Sequence, residues 1–384
     1  MKFLDNLLVR VLLAIALGLA IGSIANEVFV GVFVTINDLF SQFLGFIIPL
    51  IIMGLIIPSI GSLGNQASKM VGFTALIAYG STIFSGFFSY GVSMAFFPNL
   101  LKNQTLNAVS ETAAIQPFFH IAIPPLMDVM TALVLAFVVG IGLARIQNSV
   151  LLQVSLEFEN IVNFVIEKVI IPFLPLFIFG IFLNMTFSGQ AFIILNVFAK
   201  IIAVIFILHI LVLLTQFILA GLISGKKPLA SLKLMLPAYF TALGTQSSAA
   251  TIPVTLKQVQ KIGVSPAIVK LVVPLCATIH LSGSTLKIVA CCLALMMIQG
   301  MPIDFFSFSG FILMLGIAMV AAPGVPGGAI MAAIGIIGTM LGFDAQNQAL
   351  MIALYIAMDS FGTAANVTGD GAIAMVMDRF FKEK

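Results

Sequence analysis

The sequence predicts an all-α polytopic membrane protein of eight transmembrane helices plus two re-entrant helical hairpins arranged as inverted repeats. Three observations predict it. The chain is 61% hydrophobic and only 8% charged, against about 25% charged in an ordinary soluble domain. Its 384 residues are enough for roughly eight crossings of about 20 residues each, with loops to spare. After residue 225 the apolar segments change character and carry Gly, Pro, Ser and Thr clusters in their middles.

Apolar runs place the first six spans near residues 4–25, 28–62, 70–97, 119–147, 158–186 and 190–223. The opening MKFLDNLLVRVLLAIALG resembles a secretory signal. Asp5 and Arg10 interrupt it and further spans follow at once, so it is expected to be a retained first helix. Pro98 to Gln116 is the longest polar stretch and is expected to be an external loop. With the N-terminus inside, Lys69, Arg145, Lys226 and Lys227 fall in inner loops and Lys102 in the outer one, as the positive-inside rule requires. That implies a multi-pass protein of the cell (plasma or inner) membrane with both termini cytoplasmic.

A net charge of +3 with scattered basic residues excludes a nucleic-acid partner. Cys276, Cys291 and Cys292 share one apolar segment, which suits packing and not a disulfide framework.

Two interrupted segments, about 229–263 (TALGTQSSAATIP) and about 305–342 (AAPGVPGGAIM), suit pairs of half-helices meeting at a tip inside the membrane. Each precedes a further span with its own polar interruption, about 266–299 (ATIHLSGST) and about 346–378 (MDSFGTAANVTGD). Hairpin, span, hairpin, span in opposite senses is the signature of a secondary transporter whose site lies at the repeat interface.

The last span carries the chemistry. On a helix, Asp359, Thr363, Asn366 and Asp370 fall within an arc of roughly 60° and form one polar stripe. A carboxylate at membrane depth costs about 2.5–3.5 kcal/mol even on the lenient insertion scale, so two of them need a cation, a proton or a partner. Lys287 is a candidate partner that would make the stripe structural. The Asn, Thr and Gly around the stripe suit oxygen coordination instead, with Asp370 on sodium and Asp359 free to meet an ammonium. The tip residues Gln246, Ser247, Ser248 and Ala249 begin a half-helix, whose positive end favours a carboxylate; small residues there also suit tight helix packing.

These residues resemble the dicarboxylate/amino acid:cation symporters, the family of glutamate and neutral amino acid transporters. SSAATIPVT (247–255) resembles its first hairpin, PGVPGGAIM (323–331) its second and NVTGD (366–370) its last-helix signature; the earlier spans match mainly in number and length. The resemblance implies a homotrimeric elevator. Scaffold helices would occupy 1–66 and 119–188, and a moving transport domain 67–98 and 190–384.

Carried over by position, Asp359 would bind a substrate amino group, and Asn366 and the Ser248 backbone its carboxylate. Ser247, Ser284, Val325, Gly362 and Thr363 would line the pocket. Asp370 and Asn366, with carbonyls near Cys276 and His280, would hold one Na⁺. Thr278 with carbonyls at Val320 and Ala322 would hold another, and Tyr79, Thr82 and Ser282 would form a weaker third site.

Three departures bear on substrate and coupling. The arginine that clamps an acidic side chain in acidic amino acid carriers stands three residues after Asp359; here it is Gly362. The first hairpin tip carries Gln246 where some relatives carry a compensating arginine, so no counter-charge for a second carboxylate is evident. The family's Asn-Met-Asp-Gly-Thr becomes His280-Leu281-Ser282-Gly283-Ser284, which removes the aspartate of the deep sodium site.

The reading is a sodium-coupled importer of a small neutral amino acid such as Ser, Thr or Ala, with the bilayer as its other partner. Its alternatives are proton coupling through His280 and an acidic amino acid or dicarboxylate carrier despite the missing arginine. Lys287 could also serve as a fixed cation at the emptied deep site. An intramembrane aspartyl protease would need two facing carboxylates, whereas Asp359 and Asp370 lie on one helix about 16 Å apart. A passive channel is the other remote reading.

Overall fold

The structure is a computed structural model that describes residues 7–65, 69–102, 115–146, 149–189, 191–322 and 326–381. Most of the expected outer loop (103–114) and Val325 of the second hairpin tip lie outside the described residues.

The described residues are helical nearly throughout. α1 (Leu7–Gly22), α2 (Glu27–Asn65) and α3 (Lys69–Leu100) follow the first three expected spans. α4 is shorter than expected, Val129–Leu143 in place of 119–147. Pro124 and Pro125 cannot continue a helix ladder, and Asp128 caps α4 by accepting from the Thr131 N–H.

α5 (Val150–Val165) and α6 (Ile171–Phe187) run as one apolar rod through a π-helical turn at Ile166–Ile170. Pro172 follows that turn, and the wider turn accommodates a ring that would clash with the carbonyl four residues back. α7 (Ala191–Ser224) closes the first half.

Both interrupted segments form helix pairs. α8 (Pro228–Thr245) and α9 (Ser248–Lys261) meet at Gln246, the one non-glycine residue with positive φ (54°) among the described residues, and Ser247 caps α9. α12 (Phe305–Val320) and α13 (Gly328–Leu341) meet at the second tip.

The spans after them are interrupted too. α10 (Pro266–Ile279) and α11 (Ser282–Ile298) are separated by the non-helical pair His280 and Leu281. The expected last span is two helices, α14 (Ala345–Ala357) and α15 (Asp359–Phe381), bent by 61° at Met358. The polar stripe therefore begins at the first residue of α15.

Among the described residues five helical stretches are long and apolar enough to cross a membrane, and the bent α14–α15 pair is a sixth. Among the same residues α1, α4, α12 and α13 are shorter apolar helices, at 16, 15, 16 and 14 residues.

Burial of apolar side chains is the main source of stability where the chain packs on itself. One apolar cluster joins α1, α2 and α4–α7 to α11–α14; a second joins α8–α10 and α15. α11 packs against both α3 and α15, so the site forms along the seam between the clusters.

Candidate functional site

The break at Met358 creates two helix ends side by side. The Tyr355 carbonyl near the end of α14 accepts from the Met358 N–H, and the Met358 carbonyl opens α15 by accepting from the Phe361 and Gly362 N–H groups. The two helix dipoles favour a cation at the end of α14 and an anion at the start of α15. Lys287 and Asp359 occupy those two places.

Lys287 reaches in from α11 and is fully buried. Its Nζ donates to Asp359 Oδ1 at 3.2 Å and to the Tyr355 and Met358 carbonyls at 3.4 Å each, and lies 3.3 Å from the centre of the Tyr355 ring. The other carboxylate oxygen, Asp359 Oδ2, accepts from the Gly327 N–H of the second hairpin at 2.7 Å.

Two features depart from the expected pocket. Asp359 is not unpartnered, since Oδ1 accepts from Lys287 Nζ and Oδ2 from the Gly327 N–H. Nor does the pocket lack a cation: a Cβ built on Gly362 would lie 2.9 Å from Lys287 Nζ. The position that would begin an arginine side chain is overlain by an ammonium delivered from another helix. Lys287 accordingly sits at Asp359 and not at the Tyr79, Thr82 and Ser282 positions where it was considered as a fixed charge.

A second set of bonds ties α11 to α15. Asn366 Oδ1 accepts from the Gly283 N–H at 2.8 Å and the Ser284 N–H at 3.3 Å, and its Nδ2 donates to Ser284 Oγ at 3.2 Å. The Tyr355 hydroxyl also donates to Ser284 Oγ, at 3.1 Å. Thr363 Oγ1 donates back to the Asp359 carbonyl at 3.1 Å. The structure thus brings Asp359, Gly362, Thr363, Asn366 and Ser284 into one buried group.

Asp370 heads a different network. His280 Nδ1 donates to Asp370 Oδ1 at 2.9 Å, both side chains being almost wholly buried. His280 Nε2 lies 3.0 Å from Ser81 Oγ, which in turn accepts from Gln216 Nε2 at 3.0 Å; Gln216 Nε2 also reaches Ser282 Oγ at 3.2 Å. With a neutral imidazole the donors run one way, from Gln216 through Ser81 and His280 to Asp370. Each aspartate of the stripe therefore has its own nitrogen partner, a different arrangement from a shared-proton dyad.

The remaining expected ligands are less gathered. Ser247 Oγ accepts from the Ala250 N–H at 3.2 Å, and Ser248 begins α9. The Cys276 carbonyl accepts from the His280 N–H at 2.9 Å, and Thr278 Oγ1 donates to the Leu275 carbonyl at 2.7 Å. Val320 ends α12, with Ala322 buried two residues on. Tyr79 donates to the Leu313 carbonyl at 3.3 Å and Thr82 to the Ala78 carbonyl at 2.9 Å. Tyr79, Thr82 and Ser282 thus have separate partners.

Among the described residues no group of three or more His, Cys, Asp and Glu side chains gathers as a metal site. A cation here would rely on carbonyl, hydroxyl and single carboxylate oxygens, a donor set that suits an alkali ion.

Four participants were not anticipated. Ser81 and Gln216 belong to the Asp370 network, Tyr355 underlies Lys287, and His209 Nε2 donates to the Gly283 carbonyl at 3.2 Å. His209 and Gln216 carried a signal, being polar residues inside the very apolar run FILHILVLLTQFIL.

Broken helices whose ends and buried charges meet in one place among apolar, membrane-length helices define a membrane transporter. The sequence comparisons agree. Residues 7–380 match the Sodium:dicarboxylate symporter family, and the chain belongs to it. A serine/threonine transporter of Acinetobacter baumannii is 25% identical over 393 residues, covering 97% of this chain and 96% of the relative. An excitatory amino acid transporter of Caenorhabditis elegans is 25% identical over 266 residues, covering 67% of this chain and 52% of the relative. The mouse excitatory amino acid transporter 5 is 29% identical over 157 residues, covering 41% and 28%. The protein is a multi-pass membrane transporter and not an enzyme.

Proposed function

We propose that the protein is a sodium-coupled symporter that imports a small neutral amino acid of the Ser, Thr or Ala type. The observation that carries this reading is the Lys287–Asp359 pair packed over Gly362. Its two charges cancel, and the position of an arginine clamp is taken up by the ammonium that does the cancelling. A zwitterion enters such a pocket without adding net charge.

Asp359 reads the amino group, while Asn366 and the amides of Ser247 and Ser248 at the start of α9 receive the carboxylate. Ser284, Thr363 and Val325 form the rest of the wall. Asp370 and Asn366 hold Na⁺ with carbonyls around Cys276 and His280, and Thr278 takes a second with those of Val320 and Ala322. Tyr79, Thr82 and Ser282 contribute weakly. Residues 67–98 and 190–384 move as a transport domain against 1–66 and 119–188, in a homotrimer with cytoplasmic termini. The serine/threonine relative, matched over nearly its whole length, supports the substrate class.

Uptake of labelled serine into proteoliposomes, with and without a sodium gradient and against a panel of competing amino acids, tests the reading. Uptake indifferent to sodium ends the coupling half of it. Uptake that persists in Asp359→Ala ends the substrate half. Uptake driven by a pH gradient alone and abolished in His280→Gln would make the His280–Asp370 pair the coupling site. Preference for aspartate or succinate would make the protein an acidic carrier with Lys287 in the arginine's place.

A further inference from the structure

We infer that Lys287 is a tethered ammonium that holds the substrate amino group's place on Asp359 while the pocket is empty, and thereby sets the net charge of the cargo at zero. The inference rests on the amino acid reading above and deepens it.

A substrate ammonium competes with Lys287 for Asp359. Asp359 Oδ2 accepts from the Gly327 N–H at 2.7 Å, and Oδ1 accepts the longer bond from Lys287 Nζ at 3.2 Å. An incoming ammonium takes the more weakly held oxygen, Oδ1, and Lys287 yields it. Yielding does not strip Lys287 of partners, because the Tyr355 ring at 3.3 Å and the Tyr355 and Met358 carbonyls remain. Both carbonyls also accept backbone N–H groups and offer Lys287 their second lone pairs, beside the end of α14 where a cation is favoured.

Charge counting gives the selectivity. The empty pair is neutral, and with a zwitterion bound the sum of Asp359, Lys287 and substrate is again zero. A cationic amino acid would leave one uncompensated positive charge at membrane depth, and such charges are expensive there. Removing Lys287 reverses the balance: the empty pocket becomes negative, and the cargo that neutralises it is cationic.

The size of Gly362 belongs to the same device. With Lys287 Nζ 2.9 Å and Cε 3.2 Å from its Cβ position, any side chain at 362 would push the ammonium off its place.

The test uses the full-length protein in lipid nanodiscs and measures binding of L-alanine, L-serine, L-2,3-diaminopropionate and L-lactate by titration calorimetry. The titrations are run at mildly acidic pH, where both amines of diaminopropionate are protonated; the ligands are then a neutral pair, a cationic analogue of serine's size and the amine-free analogue of alanine. Wild type is expected to prefer serine to diaminopropionate and alanine to lactate. In Lys287→Met the serine-to-diaminopropionate ratio should shift toward the cation by at least about tenfold, since close buried charge pairs couple by at least that factor. Lys287→Arg should keep the wild-type order.

Because Lys287→Met leaves Asp359 uncompensated, a double variant guards against loss of folding. Lys287→Met with Asp359→Asn restores neutrality and should return the serine-to-diaminopropionate ratio to the wild-type order. An unchanged serine-to-diaminopropionate ratio in Lys287→Met, or a ratio that stays shifted toward the cation in the double variant, overturns the inference. Wild type binding lactate as tightly as alanine is a different failure, which removes the amino acid reading beneath it.

Discussion

Gly283→Ala isolates the contact on which the pocket is built. A Cβ at 283 would stand 2.6 Å from both Ala365 Cβ and the Gly362 carbonyl oxygen, and 3.2 Å from Asn366 Oδ1. Unstrained carbon contacts lie near 3.5–4.0 Å, so the shortfall is about 1 Å. Neither close neighbour is the end of a flexible side chain, and relief must come from separating α11 and α15. The 3.3 Å bond from the Ser284 N–H to Asn366 Oδ1 would then break, and the 2.8 Å bond from Gly283 would stretch.

Overpacking of this kind costs about 1–3 kcal/mol, and a buried amide oxygen left short of donors about 1–3 kcal/mol more. The combined loss corresponds to roughly 3–8 °C in the unfolding midpoint of a 384-residue chain. Thermal unfolding of the purified protein in one detergent, alongside uptake assays, measures both effects. Gly91→Ala is the control, since nothing lies within 4 Å of its Cβ position and helix propensity alone should leave stability equal or slightly raised. A Gly283→Ala variant as stable and as active as wild type would refute the account of this interface.

Two further substitutions probe neighbouring features. Tyr355→Phe keeps the ring under Lys287 but removes the hydroxyl donated to Ser284 Oγ; it should cost about 1 kcal/mol and weaken substrate binding several-fold, with thermal unfolding and competition binding as readouts. Asp378→Ala strips the half-buried Ser265 N–H of its 2.8 Å acceptor and Lys226 of its ion-pair partner, so it should destabilise by about 1 kcal/mol while leaving substrate selectivity unchanged in the competition panel.

Elements with a local signal were legible before any coordinates. Hairpin tips at Gln246–Ser247 and after Val320, the end of the sixth span near residue 223, and the stripe from Asp359 to Asp370 all rest on turn chemistry or helical period. Features without one were missed. The 61° bend at Met358 falls in IAMDSFG, four residues before a glycine and with no proline near it, whereas Pro49 and Pro58 lie inside the unbroken α2. Partners of the two aspartates were hidden for another reason. Lys287 lies 72 residues from Asp359 and His280 lies 90 from Asp370, so only packing between α11, α10 and α15 brings them together. Lys287 was visible as a lone cation in an apolar span; its position was not.

The Gly327 N–H joins the second hairpin to the same carboxylate that Lys287 neutralises. Any movement of that hairpin away from Asp359 would change how strongly the carboxylate attracts whatever lies on its other oxygen. By reciprocity, the occupant of that oxygen would change the work of such a movement by the same amount. One side chain is thus shared by the hairpin and by Lys287, and no longer chain of coupled residues is required between them.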